Sequence, residues 1–254
     1  MADRVSAVVV SHGHRDELAE SLPALAPQVG EIVLVANIPD SLPYSAHGAR
    51  VIENERPLSY AANLNRGIAE TTGRFVLVNN PDAVPEPGAV AALAAFMDDR
   101  PRCGIAGPRL VDPDGSWQHS RRRFPTVAGT LVRRTPLRRV FPPLERQRAH
   151  YNLDERPTEP VEADWMLGGS LLLRREMLEE IGGYDAGYRM YGEEIDLCYR
   201  AAKAGWERWY VPEAVVRHRW DALTDRRFLT RRTLWHWRSV FRFVRKHPER
   251  LLGR

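Results

Sequence analysis

Val5 to Val10 is a nearly unbroken apolar run that stops at the polar Ser11-His12-Gly13-His14. A strand buried on both faces, followed by a loop at its carboxyl end, has this pattern. Asp16 to Leu25 then reads as a helix and Glu31 to Val35 as a second strand, which breaks at Asn37-Ile38-Pro39-Asp40. Arg50 to Ile52 is a short extended piece, Tyr60 to Ala69 a helix, Arg74 to Val78 a strand and Pro87 to Met97 a further helix. Such alternation predicts a mostly parallel α/β sheet flanked by helices. Open sheets of this kind bind ligands beyond the carboxyl ends of their strands, which directs attention to Ser11 to His14, Ala36 to Pro39 and Asn79 to Pro85.

Later in the chain, Arg121 to Pro160 is rich in Arg and Pro with little periodicity and reads as a long loop that orders with substrate. Periodicity resumes at Trp165, where WMLGGSLLLRREMLEEIGG predicts a strand, a helix and a stop at Gly182-Gly183. From Arg226 to Arg254 there are ten Lys or Arg against one acid, Glu249, so a basic appendage follows a nearly neutral body. The expected division is a domain over 1–222 and a basic amphipathic helical extension over 223–254. With 254 residues, 43% of them apolar, the chain can bury a core without staples, and Cys103 and Cys198 fit neither a disulfide framework nor a zinc site. Both thiols are expected in the core, in a reducing compartment. The first apolar run is about six residues long where a span needs roughly 20, so neither a secretion signal nor a spanning helix is expected. A cytoplasmic location follows.

Three segments carry candidate chemistry. Asn79-Asn80-Pro81-Asp82 places a carboxylate just past a strand end, a way to offer an oxygen ligand to a cation carrying a diphosphate, although the same residues favour a plain turn. Glu193, Glu194 and Asp196 fall at a helix start, where acids suit the dipole and Asp196 has i,i+4 spacing to Arg200. Glu194 points away from that pair and is the candidate general base. His218 ends the strand-like VPEAVVRH, as a ligand or as a structural imidazole.

The order of these signals resembles the family-2 glycosyltransferases of the GT-A fold, and within them a bacterial rhamnosyltransferase-like branch. The resemblance rests on VSAVVVSHGHRDELAESLPAL, NERPLSYAANLNRGI, GRFVLVNNPDAVPEPGAV, GPRLVDPDGSWQHSRRRFP, DWMLGGSLLLRREMLEEIGGYDAGYRMYGEEIDLCYRAAKAGW and VPEAVVRH, which together span about residues 5 to 220. It implies transfer of a sugar from a nucleotide diphosphate to an acceptor hydroxyl with inversion. Asn80-Pro81-Asp82 looks like the Asn-X-Asp form of the family's metal motif, so Asp82 inherits a metal-ligand role, Asn80 a weaker one, and His218 closes the site around Mg²⁺ or Mn²⁺. Glu194 aligns with the catalytic base of relatives, with Glu standing for the commoner Asp, and Glu193 and Asp196 would position the acceptor or the helix. Ser11, His12, Asn37, Asn63 and Asn65 match nucleotide-binding positions. Ala36-Asn37 replaces the Asp-Asn of many relatives, leaving dTDP- and UDP-linked donors both open. Trp165, Gly168 and Gly169 resemble the segment beneath the acceptor and donor sugars, with a core aromatic as the alternative for Trp165.

Beyond His218, Phe228, Leu234, Trp235, Trp237, Val240, Phe241 and Val244 recur at helical spacing among arginines, the composition of a helix on an anionic membrane surface. Docking there would suit a glycan or lipid-linked acceptor and place the enzyme on the inner face of the plasma membrane. The alternative is a solvated face. A nucleotidyltransferase would need a glycine- and lysine-rich phosphate loop, and SHGHRDEL has one glycine and no lysine. A degenerate GT-A domain that binds nucleotide sugar without transferring it draws on the Ala36, Asn80 and Glu194 departures. No nucleic-acid module is present to make the basic tail a nucleic-acid site.

Overall fold

The computed structural model describes residues 4–39, 41–125, 155–189, 191–219 and 231–249. Its backbone is a nine-stranded sheet with helices on both faces. The elements are β1 (Val5–Ser11), α1 (Arg15–Leu25), β2 (Glu31–Ala36), β3 (Arg50–Glu53), α2 (Tyr60–Ala69), β4 (Phe75–Asn79), β5 (Ala83–Pro85), α3 (Ala89–Asp98) and β6 (Cys103–Val111). There follow β7 (Arg121–Arg122), β8 (Val161–Glu162), β9 (Trp165–Met166), β10 (Ser170–Arg174), α4 (Arg175–Ile181), α5 (Glu193–Lys203), β11 (Glu207–His218) and α6 (Arg231–Lys246).

Period-two side-chain alternation sorts the central strands between two cores. Val5, Ala7 and Val9 of β1 join Phe75 and Leu77 of β4 against Leu18 and Leu22 of α1 and Leu93 and Met97 of α3. Val8 and Val10 join Val76 and Val78 against Leu64 of α2 and Leu197 and Cys198 of α5. Gly67 lets α2 lie close, because a Cβ there would stand 2.5 Å from a methyl of Val8.

The sheet runs β3-β2-β1-β4-β10-β6-β11-β5, with β8 added beside β11. Strands β1 to β4 are parallel, β6 and β11 parallel to each other, and β10, β5 and β8 antiparallel to their neighbours. Since β2 and β4 flank β1, the chain reverses its winding there and opens a crevice past Ser11 and Asn79.

Strand β6 was absent from the sequence expectation. Its CGIAGPRLV holds two glycines and a proline, which argue against a central strand. The glycines answer to packing, since a Cβ on Gly107 would lie 2.5 Å from Met166 Sδ and one on Gly104 2.9 Å from Met177. Residues 126–154 of the expected long loop, and the expected boundary at 222/223, lie outside the described residues. Its ends are ordered, with β7 pairing β9 and β8 pairing β11. Both cysteines are free and buried.

Helix α6 packs on the body. Ser239, Phe243 and His247 are buried one turn apart, and Phe243 joins the same core as Leu197. Asp196, fully buried, receives Arg200 Nε at 2.7 Å, Lys246 Nζ at 3.0 Å and His247 Nε2 at 2.9 Å. Asp185 receives Arg242 and Lys246. Burial pushes the Asp196 carboxyl up, but the hydrogen bonds from His247, Arg200 and Lys246 outweigh it and hold the group below the usual carboxylate range. A depressed carboxyl stabilises the fold at every pH above its unfolded value and loses that stabilisation as pH falls through the folded one. Asp196→Ala leaves Arg200, Lys246 and the buried His247 without their shared acceptor, so urea unfolding is expected to show a loss of about 3–5 kcal/mol at neutral pH. Asp196→Asn is expected to flatten the acid limb of the stability curve, and an unchanged limb would remove Asp196 from that role.

Candidate functional site

Asn79, the last residue of β4, directs its amide to the carbonyls of Asn80 and Ala83. These bonds hold a tight turn over 80–83 with Pro81 second, closed by Ala83 N–H on Asn80 O at 3.1 Å. The turn reading of this segment is therefore correct, and it has a chemical consequence. Ala83 pairs with His218 across β5 and β11, which aims the Asp82 carboxylate at the imidazole, Oδ1 to Nε2 3.5 Å.

The His218 ring is held from behind. Gln118 Nε2 donates to Asp112 Oδ1 at 2.7 Å and to His218 O at 2.6 Å, which fixes the amide and turns Oε1 to His218 Nδ1 at 3.0 Å. An acceptor there requires the proton on Nδ1, leaving the Nε2 lone pair facing Asp82 and Asn80. Burial lowers the His218 pKa against the opposing pull of Asp82, so the ring is neutral, the state that ligates a metal. Burial raises Asp82 despite the imidazole beside it. Asn80 sits 3.4 Å from His218 Nε2 and accepts the Tyr60 hydroxyl at 2.8 Å.

The second half of the site comes from α5. Gly192, at φ 91°, turns the chain into the helix, and Glu193 and Glu194 occupy its first turn. Glu194 lies over Gly168, where any side chain would overlap its carboxylate. The next residue, Gly169, lies against the imidazole, a Cβ there meeting His218 Nε2 at 3.2 Å. Gly169 O in turn accepts Asn80 N–H at 2.9 Å. Two consecutive glycines thus join the Glu194 carboxylate to the Asp82–His218 pair. Tyr60 stands among the same groups, its phenol pushed up by burial and then by the charges of Glu194, Glu193 and Asp82.

Desolvation sets the protonation states. Glu194 is raised to about 7 by burial, which places it between acid and base at neutral pH. Glu193, only 4% exposed and with Oε2 unpartnered, is raised well above the usual carboxylate range by burial and then by Glu194, so it is a neutral acid beside a titrating one.

Other expected residues face the protein. Asn63 accepts Asn54 Nδ2 at 2.6 Å, and Asn65 spends both amide atoms on the Tyr184 backbone, at 2.7 and 2.9 Å. Asn37 is buried and holds the Leu58 backbone and Asn54. Ser11 is buried and accepts the His14 N–H at 3.4 Å, while His12 is exposed, Nδ1 3.1 Å from the Asn37 amide. Trp165 takes the core alternative, 8% exposed, its indole N–H on Arg123 O. Asp196 faces α6 instead of the crevice. Gln118, Tyr60 and Asn54 were not singled out in the sequence, because nothing local marks a glutamine that meets its histidine 100 residues on.

The donors present fit a hard or borderline divalent ion: one carboxylate oxygen, one imidazole nitrogen and a nearby amide. Among the described residues there is no group of three or more His, Cys, Asp or Glu able to hold a metal, so oxygens of a bound ligand would have to complete the shell.

Comparison with known proteins bears on the family and the fold. The family described as glycosyltransferase like family 2 matches residues 29–238. An N-acetylglucosaminyl-diphospho-decaprenol L-rhamnosyltransferase of Mycobacterium tuberculosis is 31% identical over 84% of this chain and 75% of its own. Rhamnosyltransferase WbbL of Escherichia coli K12 is 24% identical over 93% of this chain and 91% of its own. In fold, the chain resembles the crystal structure of GalNAc-T7 with UDP, GalNAc and Mn²⁺, with a TM-score of 0.65 and 20% identity over 85% of this chain, and spans 43% of that chain's length.

Gln118→Leu removes the only acceptor described for His218 Nδ1. Ring ¹⁵N shifts of His218 should show the Nδ1-protonated tautomer in the wild type and a mixture in the variant, and identical spectra would show that Gln118 does not set the tautomer.

Proposed function

The chain belongs to glycosyltransferase-like family 2, and from that premise we propose an inverting, metal-dependent transfer of rhamnose from a dTDP- or UDP-linked donor to a lipid-linked saccharide. Sugar transfer itself comes with the family. The finer reading draws on the rhamnosyltransferase names of the relatives, one of which specifies a sugar joined through a diphosphate to a polyprenol.

The observation that carries the mechanism is the Gly168-Gly169 pair, which sets a titrating carboxylate beside a neutral imidazole and its carboxylate partner. Asp82 and His218 are the residues that would hold a divalent cation together with donor diphosphate oxygens, and such an ion would neutralise charge on the departing nucleoside diphosphate. Glu194 takes the proton of the acceptor hydroxyl as its oxygen attacks the anomeric carbon and the bond to the diphosphate breaks on the opposite side. Glu193, kept neutral by burial, preserves Glu194 as the single negative charge of the pair. Tyr60 fixes Asn80 at the rim. His12 and the Asn37–Asn54–Asn63 network shape the floor beyond β1 and β2.

Glu194→Gln should lower transfer by about 10² to 10⁴ while donor binding persists. A base must be ionised, so kcat/KM in the wild type should rise with pH through about 7, the value of Glu194, and the rise should vanish in the variant. Near-normal turnover of Glu194→Gln would take the base role away from it. In parallel, Asp82→Ala should weaken donor affinity and metal dependence together.

Helix α6 suits a lipid-linked acceptor. Leu234, Arg238, Phe241 and Arg245 form an exposed stripe, with Leu234 56% and Phe241 70% exposed and Trp237 alongside. Among the described residues no helix is long and apolar enough to cross a membrane. Such a stripe binds the surface of an anionic bilayer. Sedimentation with phosphatidylglycerol vesicles at low salt should exceed that with neutral vesicles and fall in Phe241→Ser, whereas equal sedimentation with both would exclude surface docking.

A further inference from the structure

A second polar cluster lies one strand away from the glycine pair. Arg109, near the end of β6, stacks its guanidinium over Trp117, with 5.6 Å from Cζ to the ring. Its Nε is buried without a hydrogen bond, and it has no ion pair among the described residues. On the neighbouring strand, Tyr210 of β11, opposite Gly107, is 1% exposed with an unpartnered hydroxyl, and its ring lies 6.2 Å from Trp117. Arg121 of β7 pairs with Glu155 and donates to Glu162 O, yet its Nε too is buried and unpartnered, as is that of Arg208 two residues before Tyr210.

The acids near this cluster leave Arg109 unpaired among the described residues. Glu155 is taken by Arg121, and Asp164 accepts the Phe124 N–H. Glu213, which acts on Tyr210 at longer range, is exposed. Burial, and after it the neighbouring Arg123, lower the Arg121 pKa against the opposing pull of Tyr210 and Asp164. Buried donors left unpaired cost about 1–3 kcal/mol each, more when charged, so an arrangement with four of them is built for an acceptor that binds.

We infer that Arg109, Arg121 and Tyr210, backed by Trp117, form a binding site for the diphosphate of the acceptor, distinct from the cation-held site of the donor diphosphate. The inference rests on the sugar-transfer reading above and adds to it that the acceptor is recognised through its phosphates. Placement supports it. Gly107, on the same sheet face as Arg109, lies against Met166, and Arg121 pairs with Met166, two residues before Gly168. The Arg109 fork, the Arg121 Nε–H and the Tyr210 phenol supply donors for phosphate oxygens, and guanidinium geometry suits that anion.

Titration calorimetry of the full chain with inorganic pyrophosphate and with farnesyl diphosphate, in EDTA to remove divalent ions, tests this site. Both ligands should bind the wild type and Asp82→Ala alike. Arg109→Gln should bind at least tenfold more weakly, Arg109→Lys should recover part of the loss, and Arg238→Gln on the exposed face of α6 should match wild type. Saturating UDP or dTDP with Mn²⁺ should leave pyrophosphate binding unchanged. Competition by the nucleotide, equal binding by Arg109→Gln, or no binding in EDTA would each overturn the site. A thermal shift of wild type and Arg109→Gln with nucleotide and Mn²⁺ separates the two readings: if it persists while pyrophosphate fails to bind, only the acceptor site falls, and if it is absent too, the donor reading falls with it.

Discussion

The arrangement of this protein turns on two missing side chains. At Gly168 a β-carbon would overlap the Glu194 carboxylate, and at Gly169 it would press on Leu110 and the His218 ring. Three parts of the fold far apart in sequence converge there: the turn after β4, the end of β11 and the first turn of α5. The Asn80 N–H on Gly169 O ties the first of these to the glycine strand directly. Either glycine replaced by a larger residue would separate the Glu194 carboxylate from the imidazole, whatever happened to the rest of the sheet.

Electrostatics then divides the labour among four buried groups. Desolvation acts on all of them and has opposite chemical results by residue type. It keeps His218 unprotonated, with Gln118 choosing the tautomer, so the ring offers a lone pair. It lifts Glu193 out of the ionised range and leaves Glu194 near neutrality, so neighbouring carboxyls do not carry two charges at once. Asp196, equally buried and only two residues on, is driven the other way by His247, Arg200 and Lys246 and serves to fasten α6. One turn of helix therefore holds a neutral acid, a titrating carboxyl and a permanent anion.

Much of this was legible in the sequence where local pattern and tertiary role coincide. The apolar runs of β1, β2 and β4 are buried on both faces, so their hydrophobicity is continuous and unmistakable, and α2 has the bounds its periodicity predicts. Strand β6 was hidden because its glycines serve Met166 and Trp206, partners that no local pattern reveals. Asp82 lies beside His218, and the two glycines lie against Glu194 and the His218 ring. Asn63, Asn65 and Asp196 are chemically able to bind ligand, yet they hold loops and a helix. What decided between these roles was the direction of each side chain, and sequence spacing carries little of that beyond a single helix or strand.

The central claim is that the Asp82–His218 pair and Glu194 face one cavity that holds a cation-bound diphosphate. Crystals grown with UDP or dTDP and Mn²⁺, with data at the manganese edge, test it most directly. The account predicts an anomalous peak within bonding distance of Asp82 and His218 Nε2, diphosphate oxygens on the same ion, and the Glu194 carboxylate across the cavity from them. A manganese peak remote from Asp82, or nucleotide on a surface that Glu194 does not share, would contradict it.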